Sequence, residues 1–326
     1  MTECNASANP MQSVIIPTYN RKNFLADAIN SVLSQTQKSL EVIVIDDCST
    51  DSTADFVKSI PDERIRYFRN EENSGQKISQ MNGLRLARGK YITFLDDDDY
   101  YTDYEFFAKT IKIFEEHESD EIPIVMVCAN AKRVNVQTNQ TEIYNIGEPG
   151  RAKGLDYILG VGHTKPPSTF PAVFRADILR KAGLDNRMIF DEMTYINSAL
   201  YGDGWFIPDV IGVYRVHGQN DTNGGYRSKN PEIEARMYKT ITENMREWKH
   251  AAEVVQSRTD KHTADKLYLS KVIGLISWYA IARPATKDRI KTCICAMKVS
   301  GFKPKLWFRL AMYTLRHFLK KIFRVR

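Results

Sequence analysis

Tyr91-Ile92-Thr93-Phe94-Leu95-Asp96-Asp97-Asp98-Asp99 decides the reading of this chain. Its first five residues are β-branched, aromatic or aliphatic, the pattern of a buried strand. Four carboxylates then follow without a break. Like charges a few Å apart repel, and burial adds a desolvation penalty, so such a cluster needs a positive partner. Mg²⁺ or Mn²⁺ fits, because both prefer oxygen ligands and are commonly bound through one or two carboxylates together with phosphate oxygens. The alternative is a solvated acidic loop, and the run alone does not separate the two.

Upstream, the same grammar repeats. Ser13 to Ile16 is a short apolar strand stopped by Pro17. Phe24, Leu25, Ala28, Ile29, Val32 and Leu33 then recur at helical spacing. Leu40 to Ile45 is a second strand, followed by Asp46 and Asp47; Ser52 to Ile60 reads as helix. Arg64 to Phe68 is a third strand, and Lys77 to Ala87 a helix ending at Gly89. Strand and helix alternate about every 25 to 30 residues, which predicts βαβ units and a mainly parallel α/β sheet. Ligands of such sheets bind beyond the carboxyl ends of the strands. Pro17-Thr18-Tyr19-Asn20, Asp46-Asp47 and Asp96–Asp99 each follow a strand, so one rim collects all three. Taken alone, Asp46-Asp47 reads equally as capping for the helix near Ser49 and Thr50.

Further along, Tyr104 to Glu118 is helical, Ile122 to Cys128 is a buried strand, and Lys132 to Gly150 is a polar hairpin. Pro171 to Phe174 and Ile211 to Tyr214 read as strands, Asp177 to Ala182 and Thr194 to Leu200 as helices. After Gly224-Gly225 the pattern changes to long helices, Glu232 to Gln256 and Lys266 to Ala282. The expected organisation is therefore one α/β domain over residues 1–225 and a helical, basic region over 226–326.

The 326 residues carry a formal net charge of +6, unevenly spread. Residues 287–326 hold twelve Lys or Arg against the single acid Asp288, so the remainder is mildly acidic. The segment KLWFRLAMYTLRHFLKKIFRVR (305–326) places Arg309, Arg316 and Lys320 on one helical face, with Leu310, Tyr313, Phe318 and Ile322 among the apolar positions. A basic amphipathic helix of this kind suits an anionic membrane surface; packing on the α/β domain is the alternative. Nucleic acid is not expected, since no recognition motif accompanies the charge. No apolar run approaches the ~20 residues of a membrane span, and the first twelve residues hold no signal-like apolar core. Five scattered cysteines show neither zinc spacing nor a disulfide framework, so a reducing cytoplasm is expected.

Three ordered blocks, SVIIPTYNR (13–21), EVIVIDDCSTDST (41–53) and NSGQKISQMNGLRLARGKYITFLDDDD (73–99), resemble the inverting family 2 glycosyltransferases. The resemblance covers roughly residues 12 to 220, about two thirds of the chain. It implies the GT-A fold, with a nucleotide-binding half near 12–105 and an acceptor-side half near 106–225. It also implies transfer of a hexosyl group from a nucleoside-diphosphate sugar, UDP being the commonest carrier, to a hydroxyl of a glycan or lipid-linked acceptor in cell-surface polysaccharide synthesis. The enzyme would work at the cytoplasmic face of the membrane. By that resemblance Pro17, Thr18, Tyr19, Asn20, Arg21, Asp46 and Asp47 line the base pocket, and Asp96 and Asp97 belong to the D-x-D block at the ribose. Asp98 would bind Mn²⁺ or Mg²⁺, and His217, in Tyr214-Arg215-Val216-His217, would bind metal or phosphate.

The resemblance also points to Asp191, eleven residues before Gly202, as the catalytic base, with Glu192 open as the alternative because Phe190 stands where the family usually has Glu. One departure is the family's Ala-Arg-Asn, here Ser79-Gln80-Met81; Lys77 or Arg85 is available to supply the missing cation. Two rival classes share parts of this inventory. A nucleotidyltransferase or sugar-nucleotide pyrophosphorylase should carry a glycine-rich basic loop, and Pro17-Thr18-Tyr19-Asn20 is not one. A non-catalytic nucleotide-sugar-binding protein would not need Asp47, Asp96, Asp98 and Asp191 together.

Overall fold

A computed structural model describes residues 9–163, 166, 168–187, 191–217 and 231–282. The chain divides into two compact units, one ending at His217 and the other beginning at Gly218. The first unit opens with β1 (Gln12–Thr18), α1 (Lys22–Leu33), β2 (Leu40–Asp46), α2 (Thr53–Ser59), β3 (Ile65–Arg69), α3 (Gln76–Leu86) and β4 (Tyr91–Phe94). It continues with β5 (Tyr100–Tyr101), α4 (Phe106–Glu116), β6 (Ile124–Asn135), β7 (Thr141–Tyr144), β8 (Gly150–Ala152) and α5 (Gly154–Leu159). β9 (Ala172–Arg175), α6 (Ala176–Lys181), α7 (Asp191–Ala199) and β10 (Asp203–Val216) complete it.

All ten strands form one sheet in the order β3-β2-β1-β4-β9-β6-β10-β5, with β7 beside β6 and β8 beside β10. From β3 to β4 every neighbour is parallel. β1 and β2 are buried along their whole length. Strands covered on both faces read as continuous aliphatic runs, which is why Val14–Ile16 and Val42–Ile45 are so plain in the sequence. Beyond β4 the sheet is mixed. β9 runs antiparallel to both β4 and β6, whereas β6 and β10 are parallel. The unbroken parallel stretch thus runs from β3 to β4, and β6 with β10 adds a further parallel pair inside the mixed part.

Register brings the acidic segments to one rim. β1 pairs with β2 so that Thr18 faces Asp46, and with β4 so that Ile15 faces Phe94. The residues after β4 therefore emerge beside Pro17 and Thr18. α3 lies close on this platform at Gly83, where a Cβ would fall 2.3 Å from Ile15 Cγ2. Glycine is what lets the helix sit that near the strand.

The second unit contains α8 (Pro231–Arg258) and α9 (Lys261–Ala282). Met245, Trp248, Ala251, Ala252 and Val255 recur at helical spacing along α8 and are buried. Lys271 of α9 holds its ammonium 4.7 Å from the Trp248 ring. No helix of the described residues is long and apolar enough to cross a membrane. The basic stretch 305–326, with the membrane contact expected of it, lies outside the described residues.

Candidate active site

Asp96, Asp98 and Asp99 each offer a carboxylate oxygen to one place, all within 4.8 Å of one another. Asp98 and Asp99 are buried and Asp96 partly so. Burial, reinforced by the charges of Asp191 and Asp98, holds the Asp96 carboxyl well above its ordinary pKa, with Lys77 pulling the other way. Asp99 is raised by burial and by Asp98 and Asp96. Asp97 is pushed up to about 6, chiefly by burial, with Arg21 opposing and Asp98 adding to the shift. Oδ2 of Asp99 is buried with no hydrogen-bond partner. An orphaned carboxylate oxygen inside a set of hard oxygen donors fits a divalent cation such as Mg²⁺ or Mn²⁺.

The surrounding side chains hold this cluster in place. Thr18 Oγ1 donates to Asp97 at 2.8 Å. An Arg21 guanidinium nitrogen lies 3.1 Å from Asp97 and 3.3 Å from Asp98. Gln76 donates to Asp96 Oδ1 at 2.5 Å. His217 Nε2 lies 2.9 Å from Asp98 Oδ2, and its ring stacks on Phe24 at 4.6 Å. Arg215 uses its amide on Asp99 Oδ1 at 2.9 Å and its Nε on the Asp98 carbonyl. Its guanidinium is sandwiched between Phe24 and Tyr100, at 4.8 and 4.9 Å.

The pair after β2 is engaged differently. Asp46 accepts from the Ser49 amide at 2.7 Å and the Tyr67 hydroxyl at 2.5 Å. Asp47 accepts from Asn70 Nδ2, the Ser74 amide and the Gly75 amide at 2.7 to 2.9 Å. A carboxylate has about four acceptor sites, so three of those on Asp47 organise the turn that opens α3. Gly75 at φ 91 begins that helix. Pro17 is buried and Tyr19 42% exposed, leaving an aromatic ring open at the rim. Asn20, at φ 55, accepts from the Thr50 and Asp51 amides and ties the first loop to the second.

Asp191 opens α7, and its Oδ1 is 2.5 Å from Lys77 Nζ. Lys77 also donates to Gln80 Oε1 at 3.2 Å. Arg85 is exposed and turns instead to the Asp185 carbonyl and Asn186. Of the two cations available to α3, Lys77 is the one that reaches the site. A small pocket beside it is lined by Lys77, Gln80, Met81, Phe94, Leu184 and Arg187, among others.

The sequence model of Glycosyl transferase family 2 matches residues 13–181, just over half of the chain. The chain belongs to that family. Among its relatives, the UDP-Glc:alpha-D-GlcNAc-diphosphoundecaprenol beta-1,3-glucosyltransferase WfaP of Escherichia coli is 39% identical over 107 residues, 31% of this chain and 43% of that protein. The GalNAc(5)-diNAcBac-PP-undecaprenol beta-1,3-glucosyltransferase of Campylobacter jejuni is 46% identical over 93 residues, 28% of this chain and 30% of that one. The chain spans less than half the length of the relatives it matches in sequence. In fold, it is similar to residues 1–349 of S. aureus TarS, solved in complex with UDP-GlcNAc. The TM-score is 0.59 and identity 19%, over 84% of this chain and 81% of that one.

For this family 2 glycosyltransferase, sequence reasoning assigned no role to five residues that touch the acids: Tyr67, Asn70, Gln76 and, through their amides, Ser74 and Gly75. The last two and Gln76 stand inside the block at 73–99, but nothing local marks Tyr67 or Asn70. Arg215 had a signal, since it stands two residues before His217 in a segment already singled out, but its grip on Asp98 and Asp99 needed the fold.

Proposed function

We propose that this family 2 enzyme transfers a sugar from a nucleoside-diphosphate donor, UDP in the first instance, to a hydroxyl of a lipid-linked glycan, with inversion at the anomeric carbon. One observation carries the reading: three carboxylates converge at the end of β4 and face a fourth, Asp191, joined to the same rim through Lys77. The N-terminal half, with Pro17 to Arg21, Asp46 and Asp47, would take the nucleoside; the half after residue 105 would take the acceptor.

Asp96, Asp98 and Asp99 would hold Mn²⁺ or Mg²⁺, with His217 bracing Asp98 or joining the ligands, and Asp97 kept in place by Thr18 and Arg21. When bound, the cation supplies neutralisation of charge on the leaving diphosphate. Asp191 takes the proton of the acceptor hydroxyl as that oxygen attacks. The new O–C1 bond forms while the bond from C1 to the phosphate oxygen breaks, its electron pair leaving with the nucleoside diphosphate. A single displacement through an oxocarbenium-like transition state inverts the centre. Lys77 supplies positive charge to the diphosphate. The relatives named for diphosphoundecaprenol substrates support a lipid-linked acceptor, and the basic 305–326 stretch would bring the enzyme to it.

A thermal-shift screen of nucleotide sugars with Mn²⁺, followed by transfer assays, tests the reading. Asp191→Asn should bind donor yet lose transfer by at least about 100-fold, the scale of general-base catalysis. Full transfer by that variant, or full transfer in excess EDTA, sinks the respective role. Liposome flotation with and without residues 300–326 tests the membrane contact.

A further inference from the structure

The ammonium of Lys77 lies on the carboxylate assigned above as the base. Nζ is 2.5 Å from Asp191 Oδ1 and 3.2 Å from Gln80 Oε1. Lys77 comes from the first turn of α3 and Asp191 from the first residue of α7, 114 residues later, so the pair bridges two helices. Its side chains are 17% and 30% exposed, open enough for a ligand to reach. In this arrangement the ammonium occupies one oxygen of the carboxylate that the reading above gives to the acceptor.

A lysine ammonium is a compact charge on a flexible four-carbon stem, able to swing to whichever neighbouring anion is densest. A diphosphate arriving at the Asp96–Asp99 rim would bring such a density beside it. Gln76, the residue before Lys77 in the first turn of α3, donates to Asp96 Oδ1 at 2.5 Å, which sets that turn beside the rim. We propose that Lys77 is a donor-operated latch on Asp191. With the donor site empty it holds the carboxylate; when nucleotide binds, the ammonium passes to the diphosphate and Asp191 is left to receive the acceptor proton. Lys77 is thus a positioning residue that acts through Asp191. The inference rests on the nucleotide-sugar reading above.

A double-mutant cycle on nucleotide affinity tests it without any acceptor. UDP binding in Mn²⁺ is measured by calorimetry for the wild type, Lys77→Met, Asp191→Asn and the double variant, with Lys77→Gln replacing Lys77→Met should the latter not fold. Lys77→Met should weaken UDP about 10-fold, and Asp191→Asn should tighten it about 5-fold because the ammonium no longer leaves a partner. The double variant should bind like Lys77→Met, within about twofold. Tightening by Asp191→Asn that persists without Lys77 would mean plain repulsion between carboxylate and diphosphate, and would overturn the latch. So would no tightening with Lys77 present. Should the wild type bind none of UDP, GDP and dTDP, the nucleotide reading itself fails and the latch with it.

Discussion

Nε2 of His217 sits 2.9 Å from Oδ2 of Asp98, across 119 residues of chain, and both side chains are buried. Phe24 stacks on the imidazole and fixes its plane. A histidine held in this way orients the carboxylate it touches, whether or not it also meets the metal. His217→Ala should therefore lower Mn²⁺ affinity about 10- to 100-fold. Titration of Mn²⁺ by calorimetry or electron paramagnetic resonance measures this; unchanged affinity would remove His217 from the site.

Metal affinity should also depend on pH. Burial and mutual repulsion raise Asp96 and Asp99, and put Asp97 at about 6. Groups raised in the metal-free fold carry protons that a cation must displace, so binding strengthens as pH rises. Mn²⁺ affinity should rise with pH, including through about 6 where Asp97 titrates, with proton release on binding at the lower end. A flat profile would mean that the carboxylates are already ionised.

Another buried carboxylate, away from the acid block, lies in the platform. Glu41 accepts from Ser13 Oγ at 2.7 Å, Arg66 at 2.7 Å and the Arg88 amide at 2.8 Å. Burial pushes its carboxyl up, but these donors outweigh burial and the net shift is downward. A lowered folded pKa contributes stability that is present above the unfolded value, about 4.3, and is lost as pH falls through the folded one. Glu41→Gln should cost about 2 to 3 kcal/mol in urea unfolding at pH 7. The gap to wild type should narrow below about pH 4; a constant gap would contradict the assignment.

Gly83→Ala probes how α3 is seated. The added Cβ meets Ile15 Cγ2 at 2.3 Å, and Ile15 is fully buried, so helix or strand must shift. Overpacking of this kind costs about 1 to 3 kcal/mol. Because Lys77 and Gln80 ride on the same helix, nucleotide affinity should fall along with the unfolding midpoint. A stability loss with unchanged affinity would show that the helix absorbs the methyl without moving its N-terminal turn.

The parallel half of the sheet was legible because doubly covered strands are continuous aliphatic runs, and Leu40–Ile45 and Tyr91–Leu95 announce themselves. β10 was read only from Ile211, yet it starts at Asp203. Gly204 and Pro208 look like breakers, and register shifts after Ile207 and Val210 absorb the irregularity. β6 was read as ending at Cys128, but its polar continuation to Asn135 pairs with β7 and β10. β5 is two tyrosines held by Gly212 and Val213, a pairing no local pattern encodes. β8 and the short α5 were not read either. In the site, the acids stood out by type and spacing. Their partners did not, since what makes Gln76 or Arg215 matter is a neighbour brought in by the sheet.

The bracing of the acid cluster has a consequence for biosynthesis. Asp98 and Asp99 leave the ribosome well over a hundred residues before Arg215 and His217, which grip them in the finished molecule. At roughly 5 to 20 residues per second, that interval is on the order of ten seconds. Through it the nascent chain presents a block of four aspartates with Thr18, Arg21 and Gln76 already made and these two braces still to come. Any fragment ending before residue 215 would keep the acids and lack two of their braces.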